Sequence, residues 1–108
     1  MILEDLKHAE FSEATAATFT VAAAPGAGKY LAIDFVTLNP DGGANTLTLV
    51  SGSTTLATFV LNDNQPLTFE NAIQHQKGVL TCADNEAFKI TLSAATSVTG
   101  FIRYRIVE

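Results

Sequence analysis

The residues with the most obvious chemical potential form a glycine-rich segment, Pro25-Gly26-Ala27-Gly28-Lys29-Tyr30, which looks at first like a phosphate-binding loop. A nucleotide-binding loop of this type needs a glycine five positions before its last glycine, and a Ser or Thr directly after the lysine. Here Ala23 and Tyr30 occupy those two positions, and the residues from Tyr30 onward read as a strand rather than a helix. The segment is therefore predicted to be a turn and not a nucleotide site.

Nucleophiles and metal ligands are few and poorly spaced. Cys82 is the single cysteine and alternates with Leu80, which favours a small buried residue over a nucleophile. His8 and His75 match no metal-binding spacing, and Ser53 lacks the G-x-S-x-G context of a nucleophile elbow. We expect no enzyme, no metal and no cofactor; a hydrolase whose site is assembled only by folding remains a further hypothesis.

Acidic and amide side chains cluster around Asp41, Asp63 and Asp84. They could bind calcium, but none follows the spacing of an EF-hand loop. Asp, Asn and Gly are also the residues that chain reversals require, because they bond their own backbone or supply positive φ. The clusters are predicted to be turns.

Composition narrows the class of partner. The net charge is −5 with only six Lys and Arg, so clustered phosphate contacts and nucleic-acid binding are not expected. No apolar run is long enough for a membrane span, and the absence of any possible intrachain disulfide fits folding in a reducing cytoplasm. Hydrophobic residues make up 47% and charged residues only 16%, which favours a homo-oligomer over a weakly charged monomer.

The elements that must position these residues are short strands. Turn signals recur along the chain, and between them apolar and polar residues alternate with a period of two, as in Phe88-Lys89-Ile90-Thr91-Leu92. This predicts an all-β fold, an antiparallel β-sandwich of about eight strands, for which a jelly roll is the favoured architecture and a simpler sandwich the alternative. The predicted strands lie near 16–22, 30–39, 45–51, 54–61, 66–70, 78–82, 86–93 and 98–107.

The second predicted strand is less regular than the others. Leu31, Ile33 and Phe35 share one face, whereas Val36 and Leu38 fall on the other. Either both faces of this strand are covered, or a bulge near Phe35 changes which side faces inward.

The first dozen residues stand apart from this pattern. Ile2, Leu3 and Leu6 have helical spacing, which is compatible either with a frayed terminus or with an arm that becomes ordered on a neighbouring protein. The predicted organisation is thus an N-terminal arm over residues 1–12 and a β-sandwich domain over residues 13–108, with Ile2, Leu3 and Leu6 as candidate partner-binding residues.

Two stretches resemble small virion proteins of tailed bacteriophages. One is Asn45-Thr46-Leu47-Thr48-Leu49-Val50-Ser51-Gly52-Ser53-Thr54-Thr55-Leu56, and the other is Leu92-Ser93-Ala94-Ala95-Thr96-Ser97-Val98-Thr99-Gly100 with the strand that follows it. The resemblance implies a head-decoration or cement protein, often trimeric, made in the host bacterial cytoplasm and seated on the capsid surface of the virion. The implied partner is the major capsid protein.

A carbohydrate- or receptor-binding module of a tail or capsid is the alternative. Such modules commonly stack sugars on exposed aromatic rings. This chain has no Trp and only two tyrosines, and Tyr104 falls on the predicted core face of its strand, which weighs against that alternative.

Overall fold

The computed structural model describes residues 6–70 and 78–108. These residues form strands and loops only, without an α-helix in either range. Nine strands follow one another within the described residues: β1 (Lys7–Glu13), β2 (Thr18–Ala22), β3 (Tyr30–Asp41), β4 (Asn45–Ser51), β5 (Thr54–Leu61), β6 (Leu67–Glu70), β7 (Leu80–Thr81), β8 (Phe88–Leu92) and β9 (Ser97–Val107).

The strands form two antiparallel sheets, which confirms the predicted β-sandwich. Sheet A has the order β1-β9-β3-β6, with β7 pairing with the same strand β3, and sheet B has the order β2-β8-β4-β5. β6 and β7 together fill one strand position, because they pair with successive parts of β3. The chain then alternates between the sheets except at the β4–β5 hairpin, which is the connectivity of a jelly roll.

Alternation of side chains along each strand builds the core between the sheets. On β8, for example, Phe88, Ile90 and Leu92 are buried while the two residues between them are not. Aromatic contacts close both sides of the sandwich: Phe11 lies 5.7 Å from Phe19 at the β1–β2 side, and Phe59 lies 5.8 Å from Phe69 at the β5–β6 side. The fully buried residues with the largest side chains are Phe88, Leu31, Ile33, Leu38, Leu47, Leu49, Ile90, Leu92, Ile102, Val36, Val98 and Val107.

Each of the eight predicted strands is present, and a ninth, β1, corrects the predicted N-terminal arm. Residues 7–12 belong to an edge strand that pairs with β9 along its whole length. Ala9 and Phe11 of this strand pack against the core, which ties it to the sandwich domain. The charged residues that alternate with them made this stretch look detached in the sequence. Leu6 directly precedes this strand, and Ile2 and Leu3 lie outside the described residues.

The irregular strand β3 contains a bulge. Its pairing with β9 shifts register between Ile33 and Phe35, so that Asp34 is an extra residue. Both Ile33 and Val36 can therefore be buried in the core although they are three positions apart. Of the two interpretations of this strand, the bulge is the one that the structure shows.

Candidate interaction surface

The glycine-rich segment that resembles a phosphate loop is a turn. Gly26 and Gly28 have positive φ values of 115° and 80°. The N–H of Lys29 donates to the carbonyl oxygen of Gly26 at 3.1 Å, and the N–H of Gly26 donates to Oδ1 of Asn85 at 2.9 Å. The Lys29 ammonium lies 3.6 Å from a carboxylate oxygen of Glu108. These contacts hold the turn against the neighbouring loop.

One of the turn aspartates, Asp63, has a structural role. Oδ1 of Asp63 accepts hydrogen bonds from the N–H groups of Gly42 and Gly43 at 2.9 and 3.2 Å, and thereby joins the β3–β4 and β5–β6 loops. Over residues 6–70 and 78–108, no three His, Cys, Asp or Glu side chains are grouped in a way that could hold a metal ion.

Cys82 lies in the core with 2% of its surface exposed. Burial raises the pKa of its thiol from 9.0 to about 11; a hydrogen bond with Ser51 lowers that pKa in part, and the negative charge of Glu86 adds to the rise. A thiol that stays protonated and shielded from solvent is a poor nucleophile. The prediction that Cys82 is a small buried residue is confirmed.

The outer faces of the two sheets differ in character. On sheet B, threonines stand opposite one another across all four strands, in the order Thr18, Thr91, Thr48 and Thr58. This is the polar surface that an antiparallel sheet commonly presents to water. The outer face of sheet A instead carries aromatic rings and a guanidinium group.

We call this group the aromatic surface: His8 on β1, Phe101 and Arg103 on β9, and Phe35 on β3. The rings of Phe35 and Phe101 are stacked, with centroids 5.4 Å apart and an angle of 17° between their planes. The His8 ring lies 4.9 Å from the Phe101 ring. The guanidinium carbon of Arg103 lies 5.8 Å from the centroid of Phe35 and 5.9 Å from that of Phe101.

The register of the strands brings these side chains together. Arg103 stands opposite His8 on one side and opposite Phe35 on the other, so the central strand β9 presents it between the two. Phe101 stands opposite Glu10, and Phe35 stands opposite Glu70. The result is a flat apolar centre with a cation above it and carboxylates at its rim.

The bulge at Asp34 supports this arrangement from within the sheet. Asp34 accepts two hydrogen bonds from Arg105, at 2.5 Å from Nε and 2.9 Å from Nη2. Their side chains are only 16% and 17% exposed, respectively. Arg105 is thus held by a carboxylate, whereas Arg103, two residues away on the same face, is exposed.

Among the predicted partner-binding residues, only Leu6 is described. It directly precedes β1 and is 57% exposed. The structure does not test whether it contacts a partner, and Ile2 and Leu3 lie outside the described residues.

Sequence reasoning missed both phenylalanines of the aromatic surface. Phe35 looked like a core residue because the bulge at Asp34 reverses its side. Phe101 alternates with Ile102 on β9, so it belongs to the same outer face as Arg103. This alternation in the sequence could have predicted the position of Phe101. Tyr104, in contrast, packs against the core as expected.

Comparisons with known proteins inform the fold. No family model matches this chain, and no curated protein matches it significantly. One solved structure with a similar fold is described by the words "Bacillus endospore appendages form a novel family of disulfide-linked pili". The two chains share 18% sequence identity with a TM-score of 0.55, over 97% of this chain and 86% of the other. A likeness at this level of identity supports the fold. None of the described residues belongs to a helix long and apolar enough to cross a membrane.

Proposed function

We propose that this chain is a non-enzymatic structural protein that binds other protein surfaces within a large assembly. Specifically, we propose that it decorates a bacteriophage capsid by binding the major capsid protein. The observation that carries it is the aromatic surface on the outer face of sheet A. Two stacked phenylalanines under an exposed arginine are unusual on a face where alternation favours small polar residues.

The chemistry of the aromatic surface suits protein recognition. Aromatic and arginine side chains are enriched at interface centres, whereas acidic residues are depleted there and more common at the rim. Phe35, Phe101 and Arg103 form such a centre, with Glu10 and Glu70 beside it. The stacked rings also lose little conformational entropy on binding, because each ring already packs against the other.

The proposed absence of enzymatic activity is supported by the state of the candidate groups. The thiol of Cys82 is buried and protonated at neutral pH, and the carboxylate of Asp63 serves to join two loops. These groups have structural partners that account for them.

The similar fold from a pilus favours the broader part of the proposal, a subunit of a repeated surface assembly. The pili concerned are described as disulfide-linked. This chain has a single cysteine, and it lies in the core. Its assembly would therefore depend on non-covalent contacts. The Thr- and Leu-rich strands that resemble phage virion proteins favour the capsid as the site of assembly.

A capsid-binding experiment tests the proposal. Purified protein is mixed with capsids assembled from a tailed-bacteriophage major capsid protein of the same genome, and the bound fraction is measured by co-sedimentation. We expect saturable binding, weakened at least ~10-fold by Phe101→Ser or by Arg103→Glu. Thr48→Ser, on the outer face of sheet B, is the matched control and should bind like wild type. Absence of binding by the wild type would refute capsid decoration; equal binding by all variants would refute the aromatic surface as the contact.

A second candidate function is carbohydrate or receptor binding by the same surface. The exposed edge of the Phe35 and Phe101 stack could accept the apolar face of a sugar, and Arg103 could bind an acidic group on it. A glycan array probed with wild type and Phe101→Ser distinguishes this function. Glycan binding that the substitution abolishes, without capsid binding, would favour it over decoration.

A further inference from the structure

One edge strand of sheet B, β5, differs from the edge strands of sheet A in its charge. β1 carries Lys7, Glu10 and Glu13, and β6 ends at Glu70, so both edges of sheet A have charged side chains. β5 has eight residues, Thr-Thr-Leu-Ala-Thr-Phe-Val-Leu, without a charge, a proline or a glycine. Charged side chains and prolines are the usual protection of edge strands against pairing with another chain.

β5 has one protective device, a bulge, and it leaves most of the strand straight. The register between β4 and β5 shifts between Leu49 and Val50, where Leu56 is the extra residue. Beyond it, five residues from Ala57 to Leu61 stand opposite consecutive residues of β4 without interruption. This straight segment contains the most exposed large apolar side chain of the described residues, Val60, with 76% of its surface accessible.

The hydrogen-bonding direction of this segment follows from its neighbours. The carbonyl oxygen of Thr46 accepts a hydrogen bond from Ser93, on the side of β8. In an antiparallel pair, opposite residues either exchange both main-chain bonds or neither. Val60 stands opposite Thr46, so its N–H and C=O point away from β4, and those of Thr58 do the same two residues earlier. Within the described ranges, no strand pairs with this outer side of β5.

From this edge we propose that the chain forms a two-fold dimer in which β5 pairs antiparallel with β5 of a second copy, centred on Phe59. Thr58 then stands opposite Val60 of the other copy, and Val60 opposite its Thr58. Both pairs consist of residues whose peptide groups point outward, so each exchanges two main-chain hydrogen bonds. The side chain of Val60 is covered at the same time.

A second copy is the occupant favoured by charge. A two-fold axis places the residue at the centre of an edge strand opposite its own copy, so pairing of β1 about Glu10 would bring two carboxylates together. β5 carries no charge and meets no such penalty. The pairing joins the two copies of sheet B into one continuous sheet and leaves the aromatic surface of sheet A free. The dimer is thus independent of the proposed capsid contact, and it replaces the trimer implied by the sequence resemblance.

Light scattering on the purified full chain tests the dimer. We expect a mass twice the chain mass of 11.4 kDa, and loss of the dimer in Val60→Lys. Because Val60 is exposed in the single chain, this variant should keep its far-ultraviolet circular dichroism spectrum. Thr18→Lys is the matched control on β2, the other uncharged edge of sheet B; Thr18 stands opposite Thr91 as Val60 stands opposite Thr46, and the variant should remain dimeric. A wild-type monomer or trimer, or a dimer that Thr18→Lys disrupts, would overturn the proposal.

Cross-linking tests the register. Residues in a hydrogen-bonded antiparallel pair have Cα atoms about 5.5 Å apart, within the roughly 4.4–6.8 Å range of disulfides. Mixing Thr58→Cys with Val60→Cys under mild oxidation should yield a covalent dimer containing one copy of each. Either variant alone should cross-link much less, because the identical residues do not face each other. Equal cross-linking in all three samples, or in none, would refute pairing about Phe59.

Discussion

Asp34 and Arg105 face each other across sheet A as a bidentate pair, at the one position where β3 has an extra residue. The bulge gives Asp34 a place on the outer face without moving Ile33 or Val36 out of the core. The pair is mostly shielded from solvent, and the two opposite charges compensate each other.

Replacing Asp34 with Asn should destabilise the fold by about 3 kcal/mol, because it removes the negative charge from a largely shielded bidentate ion pair. Urea denaturation measures the loss. Glu10→Gln is the control: this carboxylate contacts His8 on the surface, and its loss should change the free energy of unfolding by less than about 0.5 kcal/mol. Equal effects of the two substitutions would show that the Asp34–Arg105 pair is not specially important.

Asn45→Ala should loosen the loop between β8 and β9. The Asn45 side chain is 3% exposed; its Nδ2 donates to Ala94 O and Thr96 Oγ1 at 3.0 and 2.9 Å, and its Oδ1 accepts from Ala94 N at 3.1 Å. Removing this side chain leaves buried polar groups unpaired, which should lower the free energy of unfolding by about 2–3 kcal/mol. Faster amide hydrogen exchange at Ala94 would report the local loss, and unchanged exchange there would contradict it.

Gly100→Ala should destabilise sheet A because β3 and β9 approach closely at this position. A Cβ on Gly100 would overlap the carbonyl oxygen of Thr37 and lie 2.8 Å from Cα of Leu38. The backbone cannot move aside as a flexible side chain does. We therefore expect the free energy of unfolding to fall by about 3 kcal/mol, which is at the upper end of the usual effect of overpacking. Thermal unfolding measures it. Thr99→Ala, one residue earlier on the exposed face, should have a much smaller effect; a similar loss there would argue against the overlap.

Cys82 should make stability depend on alkaline pH. Its pKa is about 11 in the folded chain, against 9.0 when unperturbed, so the folded state holds the proton more tightly. The contribution of this thiol to the free energy of unfolding is complete below pH 9. It decreases as the pH rises toward 11, by at most about 3 kcal/mol in total. Cys82→Ala removes this component. Denaturation at pH 8 and pH 10 in both proteins checks it: an equal loss of stability in wild type and variant would refute the assignment to the thiol.

Strands were predictable here because alternation is a local property. Phe88 to Leu92 reads as one strand whatever its neighbours are, and the structure agrees. β1 was missed because its inward residues include only Ala9 and Phe11 as apolar side chains, with charges beside them and the helix-like spacing of Leu6 just before. The bulge was one of two interpretations, since a sequence does not show which side of β3 is covered.

The candidate surfaces depend on which strands become neighbours, and that is a global property. Phe35 and Phe101 are 66 positions apart in the sequence and meet only because β9 lies beside β3. The exposed edge of β5 likewise follows from the strand order of sheet B. Neither relationship could be read from hydrophobic periodicity.

The position of β9 has a consequence for biosynthesis. It is the last of the nine described strands, yet it lies inside sheet A between β1 and β3. Until it emerges from the ribosome, these two strands lack their shared neighbour, and the apolar cluster lacks Val98 and Ile102. Such long-range pairing slows folding and exposes apolar surface to aggregation in the meantime. Translation that stops before residue 97 would therefore leave a chain without the centre of one sheet, which quality-control proteases should remove.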